Sequence, residues 1–296
     1  MKARAFILIL AVMGVVGIAA PASAETTPER RLLVTPIRTE LSVDAGSAYK
    51  GALTLKNTGK TTLTVTLEAQ AFDVTNQNYD YAFKPDAPIN DWVNFTQPTV
   101  TLDPEQSYVA HYLVSVPIGA EPGGKYLSLF AAAQPDTDTG ITSIERVGSL
   151  LYLTVPGAIT KKGELLILKS PFITTNEINW SATIRNGGTA HFRTNYEQIT
   201  KTLWNTTITS NKGSALILPA SVRLIQGSAD HPKWLGIYKV QYTFTLGDTG
   251  THIQTRLFVY APLAQLGPAA AILLLLIGGI VTLARRHAKL KKAKSN

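Results

Sequence analysis

In 296 residues the chain carries no cysteine and has 28 basic against 20 acidic side chains, a formal charge of +8. The missing thiols exclude disulfide staples and thiolate metal sites, so hydrophobic packing has to hold any exported part together. The excess charge does not mark a nucleic-acid partner: two basic residues open the chain and six close it, leaving residues 25–262 neutral in balance.

Residues 1–24 start with Lys2 and Arg4, continue as an apolar run to Ala20 and end in Ala22-Ser23-Ala24. That is the pattern of a cleaved signal peptide, predicting a cut after Ala24; an uncleaved anchor is the alternative. A short polar leader follows. From Arg31 the chain alternates stretches rich in Val, Leu, Thr and Tyr with Gly, Pro, Asn and Asp, and shows no helical periodicity before residue 263. In 63–71 the odd positions Leu63, Val65, Leu67, Ala69 and Ala71 oppose Thr64, Thr66, Glu68 and Gln70, the signature of a strand with one buried face. Residues 49–57 alternate in the same way, and Asn57-Thr58-Gly59-Lys60 joins the two as a tight turn. Further strands are predicted at 92–95, 99–102, 107–116, 126–133 and 143–155. The last holds the apolar run LLYLTV, expected to be a core strand. Strand spacing of about ten residues points to an immunoglobulin-like sandwich over 31–158.

Residues 160–163 are polar and charged and read as the linker. A second sandwich is predicted over 164–260 from strands at 165–168, 178–185, 193–196, 206–210, 221–225, 238–246 and 252–260. The halves rhyme: LTLKNTGKTTLTV (53–65) is similar to SATIRNGGTAHFR (181–193), and GGKYLSLF (123–130) to LGIYKVQYTF (235–244). Residues 263–284 then run 22 positions without a charge. As a helix they would span roughly 33 Å, about a bilayer's hydrocarbon thickness. The tail 285–296, with Arg285, Arg286, Lys289, Lys291, Lys292 and Lys294, is expected to stay cytoplasmic, placing the body outside the cell. The fold class expected is therefore all-β: two tandem immunoglobulin-like sandwiches and one transmembrane helix.

No catalytic or phosphate-binding motif occurs, and the protein reads as a non-enzyme without cofactor or metal. His111, His191 and His231 are scattered, which favours structural roles over a triad. Asp136-Thr137-Asp138-Thr139-Gly140 has the start of a calcium loop without its closing Glu, and reads better as a hairpin tip. The candidate binding surface lies in residues 75–92 and the facing loop 122–125. Asn76 and Asn78 offer amides, Tyr79, Tyr81 and Trp92 offer ring faces, and Gly123 and Gly124 permit close backbone approach. Core packing is the competing reading of those aromatics, and Trp204 and Trp234 of the second half are the next candidates.

Four segments, LLVTPIRTELSVDAGSAYKGALTLKNTG, AFDVTNQNYDY, SVPIGAEPGGKYLSLFAA and LLYLTVPGAI, resemble the N-terminal domain of the WxL-interacting proteins over residues 31–158. The resemblance implies a single-pass surface protein of a Gram-positive bacterium, with a peptidoglycan-binding immunoglobulin-like domain, a second sandwich, a membrane helix and a basic tail. The partner it implies is cell-wall polymer or another surface protein. Pilus-chaperone-like domains share the Pro, Gly-turn and Asn-turn pattern. They open the alternative of an assembly factor that lends a strand edge to an exported client. Oligomeric state is left open.

Overall fold

The computed structural model describes residues 32–135 and 145–293. The expected signal segment with its cut at Ala24, the acidic stretch 136–140 and the tail side chains beyond Arg285 lie outside the described residues.

The first domain contains β1 (Leu32–Thr35), β2 (Arg38–Ser42), β3 (Ala48–Asn57), β4 (Leu63–Val74), β5 (Tyr81–Lys84), a 3-10 turn (Pro88–Trp92), β6 (Val93–Phe95), β7 (Thr99–Leu102), β8 (Ser107–Ser115), β9 (Gly123–Pro135) and β10 (Glu145–Val155). The second contains β11 (Gly163–Lys169), β12 (Ile173–Thr174), β13 (Ile178–Asn186), β14 (Phe192–Lys201), β15 (Thr207–Ile217), β16 (Ser221–Ala229), β17 (Gly236–Thr245) and β18 (Thr251–Tyr260), and α1 (Leu263–Ala293) follows.

Both domains are two-sheet sandwiches built to one plan. The first pairs β1-β3-β8-β6 against β2-β10-β9-β4-β5, with β7 also on β4; the second pairs β11-β13-β16 against β12-β18-β17-β14-β15. In each, the opening stretch starts in one sheet and crosses to the other. There it runs parallel to the domain's last strand, β2 on β10 and β12 on β18. Such pairing ties the beginning of each domain to its end, as in immunoglobulin-like sandwiches. The crossings, at Pro36 and at 170–172, were not marked by alternation because each is too short to show a period.

The alternation expected in β3 and β4 sets the first core: Leu53, Leu55, Leu63, Val65 and Leu67 are all buried. The paired turns carry identical bonding. Asn57 is fully buried, donates through Nδ2 to the carbonyls of Thr61 (2.8 Å) and Leu102 (3.0 Å), and accepts the Gly59 N–H. Asn186, also fully buried, donates to Ala190 and Ile217 (both 2.9 Å) and accepts the Gly188 N–H. Each side chain therefore closes its own turn and pins that turn to a strand edge, satisfying three backbone groups that burial would otherwise leave unpaired.

Residues 160–162 form a connection bound along its length to the second domain. Thr160 accepts from the N–H groups of Thr189 and Ala190, Lys161 exchanges bonds with Asp248, and Lys162 accepts from Gly187.

Candidate functional site

Three of the seven residues singled out as a binding surface, Tyr79, Gly123 and Gly124, meet at the junction between the domains. Asn76 builds the turn that brings Tyr79 there. Its Oδ1 accepts the N–H groups of Asn78 (2.9 Å) and Asp80 (3.3 Å), and its Nδ2 donates to Asp80 Oδ2 (2.6 Å). The turn holds Tyr79 at φ 69°, a left-handed conformation uncommon for an aromatic residue, and directs its ring into the second domain. There the Tyr79 hydroxyl accepts the Leu218 N–H (2.8 Å) and shares a hydrogen with Ser221 Oγ (3.0 Å), while the Arg223 guanidinium lies over the ring at 4.2 Å. Next to it the Gln77 carbonyl accepts the Leu224 N–H at 2.8 Å.

The second point of attachment is the glycine loop. Gly124 N–H donates to the Thr189 carbonyl at 2.9 Å. Gly123 has φ 133°, and a Cβ there would come within 2.9 Å of the same oxygen, so the approach needs glycine. Tyr126 reaches His191 through its hydroxyl, 3.2 Å from the backbone N–H and 3.1 Å from Nδ1, and Arg193 pairs with Glu40 at 2.7 Å.

Between these polar contacts lies an apolar cluster of Phe72, Tyr79 and Tyr152 from the first domain with Leu216 and Leu218 from the second. Burial raises the hydroxyl pKa of Tyr79, with the bonds to Ser221 and Leu218 opposing it, and burial drives Tyr126 and Tyr152 well above the usual phenol range. These phenols stay protonated. Burial lowers His191 below its ordinary value, with Glu40 pulling the other way.

These placements correct several expectations about the binding surface. Tyr79 is buried and Trp92 packs half-buried against the first core, so neither presents an open ring face. Gly123 and Gly124 serve a close approach, but to the second domain. Asn76 spends its amide on its own turn. Asn78 and Tyr81 remain exposed, Tyr81 standing edge-on to Phe72 with ring centroids 4.9 Å apart. The LLYLTV strand is two-faced: Leu151 and Leu153 enter the first core, while Leu150 and Tyr152 face the junction.

Sequence reading did not single out Leu216, Leu218, Ser221 or Arg223. A signal was present in the four consecutive apolar residues 215–218. Neighbours in a strand point to opposite faces, so such a run needs cover on both. Ala215 and Ile217 enter the second core and Leu216 and Leu218 the junction. Among the described residues no group of three His, Asp or Glu side chains is placed to hold a metal ion.

A second feature is a partly unpaired sheet edge: among the described residues, β18 is paired by β12 only at Val259 and Tyr260, and β10 of the first domain leaves a shorter stretch open. β10 pairs with β9 along its whole length but with β2 only over residues 150–154. The Leu150 N–H donates to Ile37 and the Thr154 carbonyl accepts from Val43, so even-numbered residues of β10 bond toward β2. By the same alternation Arg146 and Gly148 turn their N–H and C=O groups to this edge ahead of the start of β2, where no described strand pairs with them. Arg146 folds its guanidinium back over the Phe130 ring (3.6 Å) onto Glu68 (2.5 Å), which leaves the backbone edge uncovered by its own side chain.

No family model matches the chain, and no curated protein matches it. Solved structures do. The class 5 fimbriae chaperone CfaA is similar at 12% identity and TM-score 0.40, over 79% of this chain and all of that one. The chaperone–tip adhesin subunit pre-assembly complex CsuC–CsuE of Acinetobacter baumannii matches at 10% identity and 0.39, over 76% of this chain and 98% of that one. The SafB chaperone complex with SafA pilin of Salmonella enterica matches at 13% and 0.39, over 78% and 95%. The chain is a tandem immunoglobulin-like protein of all-β class with a single C-terminal helix, as its own sheet order establishes.

Proposed function

We propose that this is a membrane-anchored protein of the bacterial cell surface that takes up an extended segment of another exported protein along the edge of β10, holding it for assembly or display. The observation that carries the reading is the edge at Arg146 and Gly148, which no strand pairs among the described residues, next to a stretch of the same strand that already accepts β2 in parallel. A strand added there would continue the sheet in line with β2, and backbone bonding would supply affinity with little demand on sequence. Two of the similar structures hold a chaperone together with a pilin or adhesin subunit. That agrees with the proposal without carrying it.

The anchor is α1, of which residues Leu263–Arg285 are long and apolar enough to cross a bilayer, with none of the described side chains in that stretch buried. With the basic tail inside, the sandwiches stand outside the membrane. The surface location is also what the resemblance to WxL-interacting proteins implies. The wall-polymer reading retains Asn78 and Tyr81 as open groups, since the junction takes Tyr79, Gly123 and Gly124, the first core takes Trp92 and the turn takes Asn76.

A photoreactive residue at position 146, in intact cells, should crosslink to extended segments of exported proteins. Arg146→Pro, which removes the N–H from the edge, should abolish capture, whereas Arg146→Ala should keep it because the backbone is what binds. Equal capture by both variants, or retention of the exported body on cell-wall sacculi with no protein captured, would sink the proposal.

A further inference from the structure

The two ends of the second domain differ in what their loops carry. At the end facing the first domain, loops 187–191, 218–220 and 246–250 are rich in Gly, Thr and Pro and expose no large apolar side chain. At the other end, from which the chain leaves β18 for α1, all three loops expose large apolar groups: Phe172 and Ile173, Leu203 and Trp204, Trp234 and Leu235. Trp204 is 86% exposed, Phe172 70% and Trp234 64%. Single exposed apolar residues are ordinary, but a cluster of this size, confined to one end and including two tryptophans, requires a cover.

Hydrogen bonds tie one of these loops to the first turn of the helix and the other two to β17 and to the residues that lead from β18 into the helix. Gln265, in the first turn of α1, donates to the Lys233 carbonyl (3.0 Å) and accepts the Leu235 N–H (2.7 Å), which places Trp234 level with that turn. The Trp234 carbonyl accepts the Tyr238 hydroxyl at 2.7 Å. Lys239 Nζ, one residue further along β17, donates to the Leu203 carbonyl (2.9 Å) and Asn205 Oδ1 (3.2 Å), holding the turn that carries Trp204. Phe172 and Thr174 accept from Val259 and Ala261, so the third loop runs beside the last residues before the helix.

We infer that these three loops form a platform that seats on the bilayer at head-group level, with Trp204 and Trp234 as its anchors. The inference rests on reading Leu263–Arg285 as a membrane span. A spanning helix crosses the head groups in its first turn, and whatever is bonded to that turn lies at the same depth. There an amphipathic indole is favoured, its ring toward the acyl chains and its N–H toward water. The platform fixes the second sandwich on the membrane and presents the first domain away from it.

The test uses the full chain in phosphatidylcholine vesicles whose acyl chains are brominated close to the head group. Four tryptophans emit, and Trp180 is buried in the second core. Bromine should quench the wild type, Trp204→Phe and Trp234→Phe should each lose part of that quenching, and the double variant should lose nearly all of it. Trp92→Phe should keep it. Flotation with vesicles but no quenching, or a double variant quenched like the wild type, overturns the platform and leaves the membrane span standing. Failure to float overturns both. Emission that responds to protein concentration in detergent and not to brominated lipid assigns the loops to a second copy of the chain, which also overturns the proposal.

Discussion

Strands β4 and β14 hold the same place in the same sheet order, yet they fill their sandwiches differently. β4 sends Leu63, Val65 and Leu67 inward, and the first core is largely aliphatic. β14 sends in Phe192, Thr194, Gln198 and Thr200, against a core dominated by Trp180, Tyr242, Phe244 and Phe258. Gln198 is 1% exposed, and among the described residues neither end of its amide has a partner. What the domains do share is the buried Asn turn and an opening strand that crosses sheets to lie parallel to the last. The plan of this sandwich is thus held by backbone pairing and one turn device, and the core is free to vary in chemistry as long as it is filled.

Three experiments bear on that comparison. The largest effect should come from Asn57→Ala and Asn186→Ala, each of which strips one buried or half-buried N–H and two such carbonyls of their partner. Each should destabilise its own domain by about 3 kcal/mol. Hydrogen exchange followed by mass spectrometry would assign the loss to one domain; unequal effects, with one turn tolerant, would break the equivalence. A smaller change, of opposite sign, is expected from Gln198→Met. Replacing an unpartnered buried amide with an apolar group of similar volume should stabilise the second domain by about 1 kcal/mol, read as a higher urea midpoint. A lower midpoint would mean that the amide is satisfied and the second core needs it.

The smallest effect sharpens a difference. In the aligned turns the first domain has Thr62 where the second has His191, which meets Tyr126 across the junction. Its folded-state pKa is lowered by burial, so above about pH 6.5 the ring is neutral whether folded or unfolded and stability is unaffected. As pH falls below that value the unfolded chain takes up the proton more readily, and stability declines until the folded-state pKa is reached. The urea midpoint should therefore drop between pH 7.5 and 5, and His191→Asn should flatten that part of the profile. An unchanged slope would place the titrating group elsewhere.

Much of this was legible in the chain. Period-two alternation identified Leu53, Leu55, Leu63, Val65 and Leu67 as core, and the similarity of 53–65 to 181–193 fell on the two turns with identical bonds. The uncharged run after residue 262 announced a helix long enough to span a bilayer. These features are local: a strand's alternation, a turn's side chain and a helix's length each depend on residues close in sequence. Alternation tells which face of a strand is apolar but not what covers it. Tyr79 and Tyr81 look alike in sequence, and only the turn built by Asn76 buries the first in the second domain while the second stays at the surface. Leu150, Tyr152, Leu216 and Leu218 find their cover only when two domains meet, and among the described residues the edge at Arg146 and Gly148 is unpaired because β2, more than a hundred residues away in the chain, begins alongside Leu150. Contacts between distant segments leave no period in the sequence, and so the junction, the edge and the loops around α1 were decided by the tertiary structure.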